Sequence, residues 1–193
     1  MKNAKIQRMV GIALLMALVI VLQVLGGILT TASGFSISLV LIPIVIGAAA
    51  YGPSAGAILG ATFGVIVFIN CVTGADIGGA MVFQANPVLC FLVVMGKGIL
   101  AGIASGAVFG LLRNRNTYVA MVCAAIICPV VNTGTFITCM LVFFIDVLKA
   151  WAAGGDLAGY ILTGLILANF LPELIINICF SPASVRILRI TRR

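Results

Sequence analysis

No histidine occurs anywhere in the 193 residues. That removes Ser-His and Cys-His nucleophile pairs and any histidine-rich metal site. Acids are nearly as scarce: Asp76, Asp146, Asp156 and Glu173 are the four present, spread over connections and one apolar run, with no evident carboxylate dyad. No Gly-x-x-x-x-Gly-Lys-Ser/Thr loop occurs to cradle a nucleotide phosphate. Enzyme chemistry is therefore poorly supported, no resident cofactor or metal is expected, and a solute moved uphill would draw its energy from an ion gradient or another subunit. Charge is scarce altogether, at 8% of residues against 63% hydrophobic, where a soluble domain carries about 25% charged residues. Mean hydropathy is +1.33. These values specify an integral membrane protein with helical spans in one domain, residues 1–193. The apolar runs are too long and too continuous for the alternating strands of a membrane barrel. Six cysteines lie mostly inside apolar runs without a Cys-x-x-Cys, and read as small packing residues.

What is present is a series of six apolar runs, at about 9–29, 37–50, 53–69, 87–112, 118–144 and 157–180. The first follows Lys2, Lys5 and Arg8 and is longer than a signal peptide's apolar region, so it reads as an uncleaved span. A polar link from Thr30 to Ser36 leads to the second, which is short for a 30 Å hydrocarbon core and interrupted by Pro43. Tyr51-Gly52-Pro53 forms a tight turn. Residues 70–86 form a connection long enough to fold over a site. Residues 146–156 form another, carrying Trp151, the only tryptophan, a residue that suits the membrane interface.

With the start in the cytoplasm, even-numbered spans end there. Lys2, Lys5, Arg8, Arg113, Arg115, Arg186, Arg189, Arg192 and Arg193 then lie inside, nine of the eleven basic residues. This distribution supports an all-α, six-helix bundle with both termini cytoplasmic. It also accounts for the net charge of +7 through the anionic inner leaflet, without nucleic acid.

Two runs carry glycine at every fourth position: Gly52, Gly56, Gly60 and Gly64, then Gly98, Gly102, Gly106 and Gly110. Each series forms a flat ridge, suited to close packing inside the bundle or to docking against a partner protein. Beside the second ridge stands Lys97, a cation in the middle of an apolar run, where a charge is costly and tends to face a cavity, a partner or a ligand. By helical depth, Asn132, Asn169 and Glu173 fall within one or two turns of it. Asn169, Glu173 and Asn177, spaced by four, share one face, and Pro172 frees a backbone carbonyl there as a further acceptor. Two readings are open. Lys97 and Glu173 neutralise each other as a structural pair, a weak device for stability alone. Alternatively, Lys97, Asn132 and Asn169 line a polar ligand pocket, with Glu173 as ligand contact or counter-ion, in which the ammonium meets a ligand carboxylate.

Several of these residues carry a resemblance. Ala13-x-x-x-Ala17 in the first run, Pro43 followed by the stretch from Gly47 through Tyr51-Gly52-Pro53 to Gly60, Asn86-Pro87 ahead of Lys97, Asn132-Thr133 in the fifth run and Pro172-Glu173 in the sixth together resemble the substrate-binding S component of an energy-coupling factor (ECF) transporter. The resemblance covers essentially the whole chain. It implies a multi-pass cell-membrane protein of a prokaryote that binds a vitamin-like small molecule with high affinity and works with a membrane coupling protein and two ATPase subunits. In that family the small face of the first helix meets the coupling protein, which implies Ala13 and Ala17. The implied gate is the link between the first two helices, with Thr30, Thr31, Ser33 and Phe35. It would cover a site made of Lys97, Asn132 and Asn169, with Thr133, Asn86 and Glu173 as further candidates. Pantothenate-type members are closest in pattern. Riboflavin, a pyrimidine or another vitamin stays open, although the absence of an acidic stretch near Phe35 counts against riboflavin. Outside this family, a small ion-coupled secondary transporter using Glu173 and a purely structural membrane protein are the competing classes.

Overall fold

The structure, a computed structural model, describes residues 2–33, 39–152 and 155–191, with side chains described over 5–27, 39–152 and 155–188. Among them there are helices and no strands. In chain order these are α1 (Lys2–Ser33), α2 (Leu41–Tyr51), α3 (Pro53–Thr73), the short α4 (Ile77–Ala85), α5 (Pro87–Leu112), α6 (Thr117–Phe143), the short α7 (Ile145–Trp151), α8 (Leu157–Tyr160), a π-helical segment (Ile161–Phe170) and α9 (Leu171–Thr191). Among the described residues, five helical stretches are long and apolar enough to cross a membrane: Lys5–Gly27, Pro53–Thr73, Pro87–Leu112, Thr117–Phe143 and Leu157–Leu188. The sixth expected span is α2, whose 11 residues rise only about 16 Å. Eight of its residues are buried, so this short helix is sheltered by protein rather than lipid, which relieves its mismatch with a 30 Å core.

The two glycine ridges pack on each other. A Cβ added at Gly56 or Gly102 would strike the backbone of the other, and Gly60 and Gly98 stand in the same relation. Gly64 meets the backbone at Val94 and Met95, and Gly106 meets Pro53. Partner numbers fall along α5 as they rise along α3, so the two helices run antiparallel with their main chains touching. Of the two uses open to these ridges, packing within the chain is the one the structure contains for the central glycines. Gly110, by contrast, has nothing within 4 Å of a built Cβ. We expect Gly102→Val to leave little folded protein, because the helices must part against backbone that cannot yield, whereas Gly110→Ala should be neutral. Size-exclusion recovery and melting temperature of the two variants in detergent check this.

Around this pair, α6 packs on α5, α9 on α6 and α2, and α1 on α2 and α3. Arg8 donates to Ser54 Oγ at 2.9 Å, and Gly11 leaves room for the Tyr51 hydroxyl, so the start of α1 is fastened beside the α2–α3 turn. That turn uses Gly52, whose φ of 93° favours glycine, with Pro53 opening α3. The rest of α1 is largely exposed along Leu14, Leu18 and Val21.

The connection at 70–86 is mostly helical. α3 continues to Thr73 and stops at the left-handed Gly74, φ 77°. Asp76 Oδ1 then accepts from Gly79 N at 3.1 Å to cap α4. Phe68 packs edge-on against Phe83 of α4 and Phe91 of α5, at 5.8 and 5.2 Å between ring centres. Asp156 caps α8, and the exposed Asp146 pairs with Lys149 at 3.8 Å. All three acids of the connections thus lie at the end of the bundle opposite Arg8 and Arg113, and two of them are helix caps.

Candidate functional site

Lys97 stands ten residues into the 26-residue α5, about 15 Å along it. Its neighbour Gly98 is pressed onto Gly60, which fixes the backbone from which the side chain leaves. The ammonium lies 4.7 Å from the centre of the Phe136 ring of α6 and 5.6 Å from that of Phe63 of α3. Two ring faces stabilise a desolvated cation by about 2 kcal/mol in favourable cases but provide no acceptor for its three N–H groups. The Glu173 carboxylate acts on it electrostatically, yet among the described residues no ion pair joins Lys97 to Glu173, the one such pair being Lys149 with Asp146.

Asn132 and Thr133 sit one turn before Phe136 on α6 and are buried. The Asn132 Oδ1 has no hydrogen-bond partner among the described residues. An unmet amide oxygen in a membrane interior is unfavourable, since no water competes to satisfy it. Pro129, one turn earlier, leaves another gap in the α6 ladder. On the neighbouring α5, Ser105 Oγ donates to the Ala124 carbonyl at 3.2 Å and ties the two helices together.

Asn169 closes the π-helical segment. Its Oδ1 is likewise buried without a partner among the described residues. The wider π turn, in which Leu171 N bonds Ile166 O, ends next to Pro172, whose missing N–H withholds a donor from the turn before it. Asn169, Glu173 and Asn177 follow one another at intervals of four, and the Oδ1 atoms of Asn169 and Asn177 are both buried. Glu173 and Asn177 are buried at 4% and 2% exposure, with Asn177 Nδ2 donating to the Glu173 carbonyl at 2.8 Å, while Asn169 is half-buried.

Asn86 has a structural task, its Oδ1 accepting from Leu89 N at 3.1 Å to cap α5. Of the gate candidates, Thr30, Thr31 and Ser33 belong to the last turns of α1, so the helix runs further than the expected link. Their side chains, and Phe35 altogether, lie outside the described residues. Ala13 and Ala17 are exposed on one side of α1, uncovered by the described part of the chain. Lys97 thus lies between Phe63 of α3 and Phe136 of α6, with Asn132 and Thr133 one turn before Phe136. Sequence reasoning missed Phe63, Phe136 and Trp151, whose ring lies 6.4 Å from that of Phe136. Phe136 had one available signal, its position one helical turn after Asn132. A cavity of about 340 Å³ lies elsewhere, lined by the α2–α3 turn, Gly106, Phe109, Gly110 and Arg113. Tyr51 and Arg113 are its polar side chains, and it holds none of these groups.

Taken together, a multi-pass bundle holds a mid-helix cation between two aromatic rings, and buried amide oxygens at Asn132 and Asn169 without partners among the described residues. No curated protein and no solved structure matches the chain. The sequence model of the family described as ECF transporter, substrate-specific component, matches residues 7–184. Since that match spans nearly the whole chain, the chain belongs to the ECF transporter substrate-specific component family.

Proposed function

We propose that this chain binds a small carboxylate vitamin, pantothenate before others, from the outer side of a prokaryotic cell membrane and releases it inward together with a coupling protein and two ATPases. Members of its family are transport subunits rather than catalysts: they bind a small substrate and work with a coupling protein and ATPases. The substrate assignment rests on Lys97, whose ammonium has two aromatic faces beside it but no ion-pair partner among the described residues. A carboxylate supplies the missing acceptor and charge, and amide ends at Asn132 and Asn169 complement a neutral polar body. Both termini on the cytoplasmic side accord with Arg8 and Arg113 lying at one end of the bundle and the three exposed acids at the other.

Titration calorimetry of the purified protein with pantothenate and with panthenol, which carries an alcohol in place of the carboxylate, tests this reading. Pantothenate should bind at least tenfold more tightly. Equal affinity for the two would overturn the role given to Lys97. Binding of riboflavin with neither acid nor alcohol bound would move the chain to a riboflavin-type member. The buried Glu173 supports one competing reading, an ion-coupled carrier, for which uptake into proteoliposomes would proceed without any ATPase.

A further inference from the structure

Trp151 is an unused donor at the edge of the same polar set. Its indole Nε1 is shielded from solvent and has no hydrogen-bond partner among the described residues, although an indole N–H can only donate and nearly always finds an acceptor when buried. A tryptophan serving as an interface anchor keeps that N–H at the wet headgroup level. Here the ring is held between protein elements instead. It stacks on Phe136 of α6, with 6.4 Å between ring centres and 23° between planes. On α4, Gly78 leaves it space, since a Cβ there would come within 3.2 Å of Trp151 Cζ2. Phe136 is also the ring nearest the Lys97 ammonium, at 4.7 Å. Lys97, Phe136 and Trp151 therefore form one continuous row of a cation, an aromatic ring and an indole N–H, with Asn132 one turn from Phe136 on α6.

We propose that Trp151 is a ligand contact. Its indole N–H donates to a neutral acceptor, an amide carbonyl or hydroxyl, on the same acid whose carboxylate meets Lys97, while the ligand's apolar middle lies along Phe136. This rests on the carboxylate reading of Lys97 and narrows it. The ligand class becomes an acid with a second, uncharged polar group beyond a short apolar segment. A bare aliphatic acid would leave the indole N–H unmet.

Trp151 is the only tryptophan, so intrinsic fluorescence of the unmodified protein reports on this residue alone. The test is to titrate the full chain in detergent with pantothenate, biotin and nicotinate, following calorimetry and tryptophan emission in parallel, and to repeat the calorimetry on Trp151→Phe. That variant keeps a ring to stack on Phe136 and removes the N–H. We expect the acid that binds to change the emission in step with calorimetric saturation. The variant should bind that acid roughly 5- to 30-fold more weakly at an unchanged melting temperature. An acid that binds while the emission stays constant overturns the contact and leaves the carboxylate reading standing. An emission change with undiminished affinity in Trp151→Phe overturns the hydrogen bond. If none of the three acids binds, the carboxylate reading and this inference fall together.

Discussion

Lys97→Ala should weaken pantothenate binding by roughly 10- to 150-fold while leaving the protein as stable as before or more so. The loss corresponds to one charge-assisted contact, about 1.5–3 kcal/mol. Stability should move the other way because a cation at mid-span is unfavourable by about 2.5–3.5 kcal/mol on insertion scales, and the faces of Phe136 and Phe63 offset only part of that. In Lys97→Ala the affinity for pantothenate should fall to that for panthenol, since both then lack a charged partner. The measurement is calorimetry with the two ligands alongside a thermal melt. A structural lysine produces the opposite pattern: a lowered melting temperature with affinity retained.

The second large effect concerns α1. Replacing Ala13 and Ala17 together by leucine should cut uptake in proteoliposomes containing the coupling protein and ATPases by more than tenfold, with ligand binding by the isolated chain unchanged. Both alanines are exposed on one side of α1, so added bulk meets nothing in the described part of this chain and folding is spared. Two small residues one turn apart allow a second helix to approach closely, and branched side chains hold it off. Uptake assayed beside binding separates the two functions. Loss of binding in the double variant, or full uptake, would remove α1 from the coupling contact.

The bundle was legible in the sequence to different depths. Glycines spaced by four identified two flat ridges, but spacing within a helix cannot say which ridge meets which. Only the structure pairs Gly56 with Gly102 and Gly60 with Gly98. Lys97 was conspicuous because a charge in an apolar run has no other reading than a constrained one. Its aromatic partners were not, since Phe63 and Phe136 are two of eleven phenylalanines and an apolar ring gives no sign in sequence of what lies over its face. Asp76, three residues before Gly79, and Asn86 before Pro87 were already in view as polar residues. Their tasks as caps required knowing that α4 fills the connection between them. The π-helical segment left no trace, because Ile161–Phe170, with Thr163 and Asn169 as its polar side chains, has too few polar positions for their drift to betray a wider turn.

A carboxylate vitamin held at Lys97 should accompany the protein purified gently from its own membrane, where native mass spectrometry detects it. The expected result is one small molecule per chain, an acid identified after release as pantothenate or a close analogue, and its absence from Lys97→Ala prepared in parallel. A neutral vitamin carried equally by both proteins would contradict it.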